Sequence, residues 1–182
     1  NAVKSWKTDI NEGGGSLSFF FSHVLYYLEN FIGRIKSLEC VLSVSEKSLN
    51  YGDSIVNMAI LFENGCTGNA YMNVSFIGPQ KHSIEFYGKK GTIALQNNSQ
   101  SPVDNFKLTI HTESGTQELL ADKFPNLSYD DLDPRVKVIK PIAERFIKWC
   151  NTGVASKPDF QDGARVQELI ELARASNAKF YG

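Results

Sequence analysis

Cysteine is scarce and odd in number: Cys40, Cys66 and Cys150 are the only three in 182 residues. Their wide spacing forms neither a metal-ligand pattern nor a disulfide framework. They read as buried free thiols in a reducing, cytoplasmic compartment. No apolar stretch reaches the ~20 uninterrupted residues that span a bilayer, and no signal peptide is visible, so no membrane partner is expected. Lysine and arginine form no stripe, and the formal net charge is -1, which argues against a nucleic-acid surface. Internal repeats and low-complexity linkers are missing as well. The chain starts abruptly on a charged, aromatic stretch, with Asn1-Ala2 resembling a cleavage scar. It is therefore expected to be a fragment of a longer protein.

What the sequence does have is a folded domain's balance, 42% hydrophobic and 21% charged, at a length that suits one domain. The organising stretch is Gly13-Gly14-Gly15 followed by a dense apolar run to Gly33. Three glycines give a backbone free to take φ > 0 and to approach another group closely. The spacing predicts a helix over residues 16–31, with apolar positions 17, 20, 21, 24, 25, 28 and 31 covering more than half its circumference, so both sides are expected to be buried. His23 lies in line with Phe19, Tyr26 and Tyr27 on that helix.

The period then changes to two. Leu38, Cys40, Leu42 and Val44 alternate with Glu39, Ser43 and Ser45, and Val56, Met58, Ile60 and Phe62 repeat the two-residue period. Asn64-Gly65 signals a hairpin with a type I′ turn. Further strands are expected at residues 70–76, 82–86, 92–95, 106–110 and 117–120, giving six or seven, joined mostly by short turns and so largely antiparallel. Residues 122–134 read as a polar loop. A helix over 139–150 places Pro141 in its first turn and stops at Gly153. A last helix over 162–177 has Asp162 as N-cap. The order is an α+β layout with helices packed on one face of an open, mostly antiparallel sheet. The other face, with Tyr71, Asn73, Ser75 and Ile77, suits subunit association, so a homo-oligomer is expected.

Several segments together resemble a known family. Trp6-Lys7-Thr8-Asp9, Gly13-Gly14-Gly15, His23 and Gly33 resemble the C-terminal domain of the Gfo/Idh/MocA oxidoreductases. So do Phe62-Glu63-Asn64-Gly65, the run from Ile84-Glu85-Phe86-Tyr87-Gly88 through Lys89-Lys90-Gly91-Thr92-Ile93, and Pro158-Asp159-Phe160-Gln161-Asp162-Gly163. The resemblance implies a fold like the C-terminal domain of dihydrodipicolinate reductase, which shapes a substrate pocket and forms dimers. It also implies an N-terminal Rossmann domain that binds NAD or NADP. This chain has no Gly-x-Gly-x-x-Gly after a strand and no Glu-Lys-Pro segment, which in the family supplies a catalytic lysine. The expectation is that the nucleotide domain lies outside the fragment, and that the fragment alone does not turn over.

The same resemblance makes His23 the candidate acid/base for a hydroxyl or carbonyl of a sugar-like substrate. Where the family has an acid four residues before the histidine, this chain has Phe19; where it has a second acid, this chain has Tyr26, which can hydrogen-bond instead. Read from the residues alone, His23 is either a satisfied core imidazole or a functional one. Trp6 and Lys7 either edge a substrate pocket or simply pack. Gly14 and Gly15 either carry the chain past substrate or form a plain loop. His82 and His111 read as structural or surface residues. Asp130-Asp131 and Asp133 read as a solvated loop, since the remaining ligands of a hard cation are not supplied; no metal is expected. Two functions stay open: the substrate-binding and dimerisation domain of an NAD(P)-dependent oxidoreductase acting on a sugar, polyol or sugar derivative, and a non-catalytic binding or assembly member that lost the acid.

Overall fold

Val56, Met58, Ile60 and Phe62 are buried, while Asn57 and Ala59 between them are exposed. That is the period of two required of a strand with one dry face. In the computed structural model this strand, β2 (Ile55–Phe62), is the centre of a three-stranded antiparallel sheet between β1 (Ile35–Ser43) and β3 (Thr67–Asn73). Cys40 pairs with Met58, and Val56 with Met72. The structure describes residues 5–44, 52–99, 105–119, 133 and 135–181. Asp130, Asp131 and most of the loop read over residues 122–134 lie outside them. The chain divides into two units, residues 1–76 with 157–182, and residues 77–156.

In the first unit, the helix expected over 16–31 is two pieces. A π-helical stretch, Leu17–Phe21, runs into α1 (Ser22–Ile32), which ends at Gly33. The dry face of the sheet is covered by this helix and by α3 (Phe160–Tyr181). Leu17, Phe21, Leu25, Met58, Phe62 and Leu169 are almost fully enclosed, each stabilising the fold by about 1.5–3 kcal/mol. Burial of the first helix is one-sided, against the expectation: Phe20 and Phe31 remain 47% and 61% exposed. The opposite sheet face is open, with Tyr71 67% exposed.

Polar side chains lock these layers. The Cys40 and Leu42 amides of edge strand β1 donate to Ser176 Oγ at 3.0 Å and Asn177 Oδ1 at 2.8 Å, so the edge is partly covered by α3. Glu29 accepts the Ile35 amide at 2.8 Å, and Arg165 donates to both Glu29 and the Ile35 carbonyl. The hairpin at Asn64-Gly65 is present, but only Gly65 takes a positive φ. The Asn64 side chain instead accepts from the Cys66 amide and donates to the Ile32 carbonyl. The loop therefore uses a single left-handed residue, and the I′ turn is not formed. The cap of α3 is Asp159, not Asp162: its carboxylate accepts the Gln161 and Asp162 amides, and Asp162 reaches back to the Asp159 amide at 2.8 Å. This is a reciprocal capping box with Asp in the third position. The helix consequently starts two residues earlier than its apolar period suggests.

The second unit is a four-stranded antiparallel meander, β4 (His82–Gly88), β5 (Gly91–Asn97), β6 (Lys107–Thr112) and β7 (Gly115–Leu119), with α2 (Val136–Thr152). Gly91 is obligatory, because a Cβ there would meet the His111 carbonyl oxygen at 2.1 Å. The His111 ring is held between Thr116 and Thr109. Because α2 begins at Val136, Pro141 is its sixth residue, beyond the first turn where it was expected. Gly153 closes α2 in a left-handed conformation. Asp133 is held at about 2 by the Arg135 guanidinium and amide, a local ion pair. The α+β class and antiparallel pairing stand, with seven strands in two sheets among the described residues. The thiols do not follow expectation: Cys40 is buried, but Cys66 and Cys150 are exposed.

Candidate functional site

Glycine-rich and polar turns build one end of the first unit. Asp9 caps a short 3-10 turn, Ile10–Glu12, by accepting the Asn11 amide, and Gly13 closes that turn at φ 76. The chain then folds back on itself: the Gly14 amide donates to the Asp9 carbonyl at 2.9 Å and the Gly15 amide to the Lys7 carbonyl at 2.8 Å. A second segment zips alongside. The Gly52 amide donates to Thr8, and the Ser16 amide to Asp53, both carbonyl oxygens at 2.7 Å. Side chains cannot fit at these crossings: a Cβ on Gly14 would lie 2.4 Å from the Trp6 carbonyl oxygen, and one on Gly52 2.7 Å from the Gly14 carbonyl oxygen.

Asp53 fastens the junction. Its Oδ2 accepts the Leu17 amide at 2.7 Å, satisfying a donor at the start of the helix. Its carboxyl is pushed above the usual range by burial, against the pull of that amide and of the nearby Arg174 guanidinium. Arg174 itself donates to Ser18 Oγ at 2.7 Å, so α3 also holds the π-helical stretch.

Above these turns opens a cavity of about 430 Å³, within the ~300–1,000 Å³ of small-ligand sites. Its floor is Gly15, Ser16, Gly52 and Asp53; its walls are Phe19, Phe20, Val44 and Val74; hydroxyls come from Ser5, Thr8, Ser54 and Ser75, and a cation from Lys7. The Phe19 ring stands edge-on between Trp6, at 5.8 Å and 84°, and Phe20, at 4.6 Å and 81°. The Lys7 ammonium lies 4.4 Å from the Phe19 centroid.

Of the residues singled out from the sequence, Lys7 and Gly15 line this cavity, and Trp6 buttresses it through Phe19. Gly14 is buried in the backbone crossing beneath. His23 is exposed on α1 and lines neither this cavity nor a second one. Among the described residues its ring has no hydrogen-bond partner. Tyr26 lines the second cavity, about 210 Å³, with Glu29, Asn30, Arg34, Asp162 and Arg165. The π-helical stretch explains part of this separation. Its i→i+5 bonding widens the turn just before His23, so the line drawn at 3.6 residues per turn from Phe19 to His23 does not hold. Sequence reasoning missed Asp53, Phe20, Val44 and Val74. The signal for Asp53 was Gly52-Asp53-Ser54 immediately before a strand, a turn sequence with a carboxylate.

The model of the oxidoreductase family's C-terminal alpha/beta domain, Gfo/Idh/MocA type, matches residues 1–179. The chain belongs to this family. Solved structures with the same fold include a levoglucosan dehydrogenase in complex with NADH and levoglucosan, at 22% identity and TM-score 0.78, covering 98% of this chain and 53% of that one. An NAD binding oxidoreductase from Klebsiella pneumoniae has 19% identity and TM-score 0.73, with the same coverage of 98% and 53%. An oxidoreductase from Agrobacterium radiobacter in complex with NAD+, L-tartaric acid and magnesium has 15% identity and TM-score 0.71, covering 89% and 46%. This Gfo/Idh/MocA domain thus spans about half the length of those proteins. No curated protein matches it. Among the described residues no helix is long and apolar enough to cross a membrane, and no cluster of His, Cys, Asp or Glu could hold a metal ion.

Proposed function

We propose that this domain binds the substrate of an NAD(P)-dependent oxidoreductase acting on a sugar, polyol or sugar derivative. The observation that carries the reading is the cavity beside the glycine crossing, in a chain whose family is established over nearly its whole length. The named complexes of fold relatives, with NADH and levoglucosan or with NAD+ and L-tartaric acid, support a hydroxylated substrate and a nicotinamide cofactor. The described residues do not suit the dinucleotide. They contain no parallel βαβ unit, and Gly13 to Gly15 pack against their own chain, so no pyrophosphate cradle is left. The cofactor is assigned to residues outside this domain.

In this reading Lys7 and the hydroxyls orient the substrate, with Trp6 fixing Phe19, while Gly14 and Gly15 shape the floor. His23, exposed on α1 and outside the cavity's lining, is proposed as the proton-exchanging group on the family resemblance alone, with Tyr26 its neighbour one turn on. The open sheet face around Tyr71 is the surface for a second copy. The second reading, a non-catalytic binding member, is favoured by one observation: among the described residues no carboxylate bonds the His23 ring, and the sequence has Phe19 where the family has an acid. The test is turnover of sugars and polyols by the complete enzyme with NAD+ or NADP+. Substrate oxidation that falls about 10²–10⁴-fold in His23→Ala supports the first reading. Ligand binding without turnover in the natural protein, with no turnover gained in Phe19→Asp, supports the second.

A further inference from the structure

The cavity has two features that a site for a neutral polyol does not need. Its rim is apolar, with Phe20, Val44 and Val74 each about half exposed. Among the described residues Lys7 is the one cation of the lining; it has no carboxylate partner among them and lies against the Phe19 and Trp6 rings. A rigid aromatic face accepts the C–H side of a ring. A cation–π contact at an exposed site is worth about 0.5–1 kcal/mol, less than a charge-assisted hydrogen bond to an anion, so an arriving carboxylate draws the ammonium off the ring. We propose that the cavity takes a cyclic sugar acid: a hydroxylated ring stacked along Phe19 with its carboxylate on Lys7. This rests on the reading above, that the cavity is the substrate site.

The remaining groups fit. Among the described residues Asp53 is the one carboxylate in the lining, and its charge is already engaged: Oδ2 holds the Leu17 amide, and the Arg174 guanidinium lies nearby. Asp53 is half-buried, whereas Lys7 is exposed, so a ligand carboxylate is drawn to the rim. Among the described residues the lining has no guanidinium, so a carboxylate suits it better than a phosphate dianion, for which a bidentate arginine is the usual partner. The Ser5, Thr8, Ser54 and Ser75 hydroxyls provide partners for ring hydroxyls.

The test is titration of the 182-residue chain with sodium glucuronate and with glucose at low salt, followed by calorimetry and by amide chemical shifts. Glucuronate is expected to bind about tenfold more tightly than glucose. That advantage is expected to vanish in Lys7→Met and at 0.5 M NaCl, while Phe19→Leu, which keeps the packing but removes the ring, weakens both ligands alike. Equal binding of the two sugars, with Phe19→Leu weakening both, overturns the acidic ligand and leaves the cavity as a sugar site. Binding indifferent to both Lys7→Met and Phe19→Leu, or no binding of either sugar, overturns the proposal and the substrate-site reading together. Circular dichroism of each variant confirms that loss of binding is not loss of fold.

Discussion

Asp53 accepts the Leu17 amide at 2.7 Å across 36 residues of chain, and so decides where the first helix begins. Everything that faces the cavity from that helix, Phe19 and Phe20 included, takes its position from this one hydrogen bond and the Ser16 amide beside it. Asp53→Ala leaves a helix-start amide without its acceptor and is expected to cost about 1–2 kcal/mol in urea unfolding. Asp53→Asn keeps a carbonyl acceptor and should cost less. The pH dependence has a definite sign. Burial raises the folded-state pKa of Asp53 above its ordinary 3.8, so between the two values the folded state holds more of this proton than the unfolded state. Stability contributed by this group is present below the unfolded value and is lost as pH rises through the folded one. Exposed carboxylates with lowered values, such as Asp133 and Asp159, slope the other way. The difference between wild type and Asp53→Asn therefore isolates the term: the wild type loses stability relative to the variant as pH rises above about 4.

Two adjacent glycines separate strain from clash. Gly13 has φ 76 and open space around it, whereas Gly14 has no φ restriction but a Cβ position 2.4 Å from the Trp6 carbonyl oxygen. Gly13→Ala is expected to cost about 1 kcal/mol from backbone strain alone. Gly14→Ala forces the two backbone segments apart, and is expected to cost about 3 kcal/mol or more and to weaken any ligand held in the cavity. Thermal unfolding of the two variants, side by side, checks the order. Equal midpoints would show that the crossing is looser than described.

The strands were legible because burial on one face writes its period directly into the sequence. Val56, Met58, Ile60 and Phe62 needed no other information. What was not legible arose where a polar side chain overrode the apolar period. Asp159 starts α3 two residues ahead of the start expected at Asp162, and Asn64 replaces the second left-handed residue of a tight hairpin by bonding through its side chain. The site was half legible. The glycines and Lys7 stand where the cavity is, because backbone crossing requires small residues. Asp53, Val44 and Val74 came from turns and strand ends 30 to 60 residues away, and only the folded register brings them in. His23 was aligned with Phe19 on an ideal helix, and the π-helical turn between them breaks that alignment.

Glu29 and Arg165 form an ion pair at 3.0 Å with each side chain only 18% exposed. The same two groups bind the amide and carbonyl of Ile35, so the pair holds the corner between α1 and β1 against α3. Removing Arg165 strands the largely buried Glu29 carboxylate and is expected to cost about 2–4 kcal/mol, while removing Glu29 leaves Arg165 with Glu168 at 3.1 Å and is expected to cost less. Arg165→Met and Glu29→Leu together are expected to cost less than the sum of the singles, since neither charge is then left unpaired. A double-mutant cycle by chemical denaturation gives the coupling. A coupling near zero would mean the pair is solvated in solution.

The three thiols differ enough to report on the fold without any substrate. Cys66 and Cys150 are exposed, and Cys40 is buried in the sheet with its thiol pushed up to about 11, chiefly by burial and further by the Asp53 carboxylate. The thiolate is the reactive form, so at pH 8 Cys40 is both unionised and out of reach. A thiol-reactive chromophore is expected to label two cysteines quickly in the native protein and the third only as fast as the first unit opens. Asp53→Ala, which loosens the segment beside Cys40's carboxylate neighbour, should speed that third reaction, while Gly153→Ala in the other unit should leave it unchanged. Rapid labelling of all three thiols in the wild type would show that the core around Cys40 is not closed, and mass spectrometry of the labelled peptides identifies which cysteine reacted.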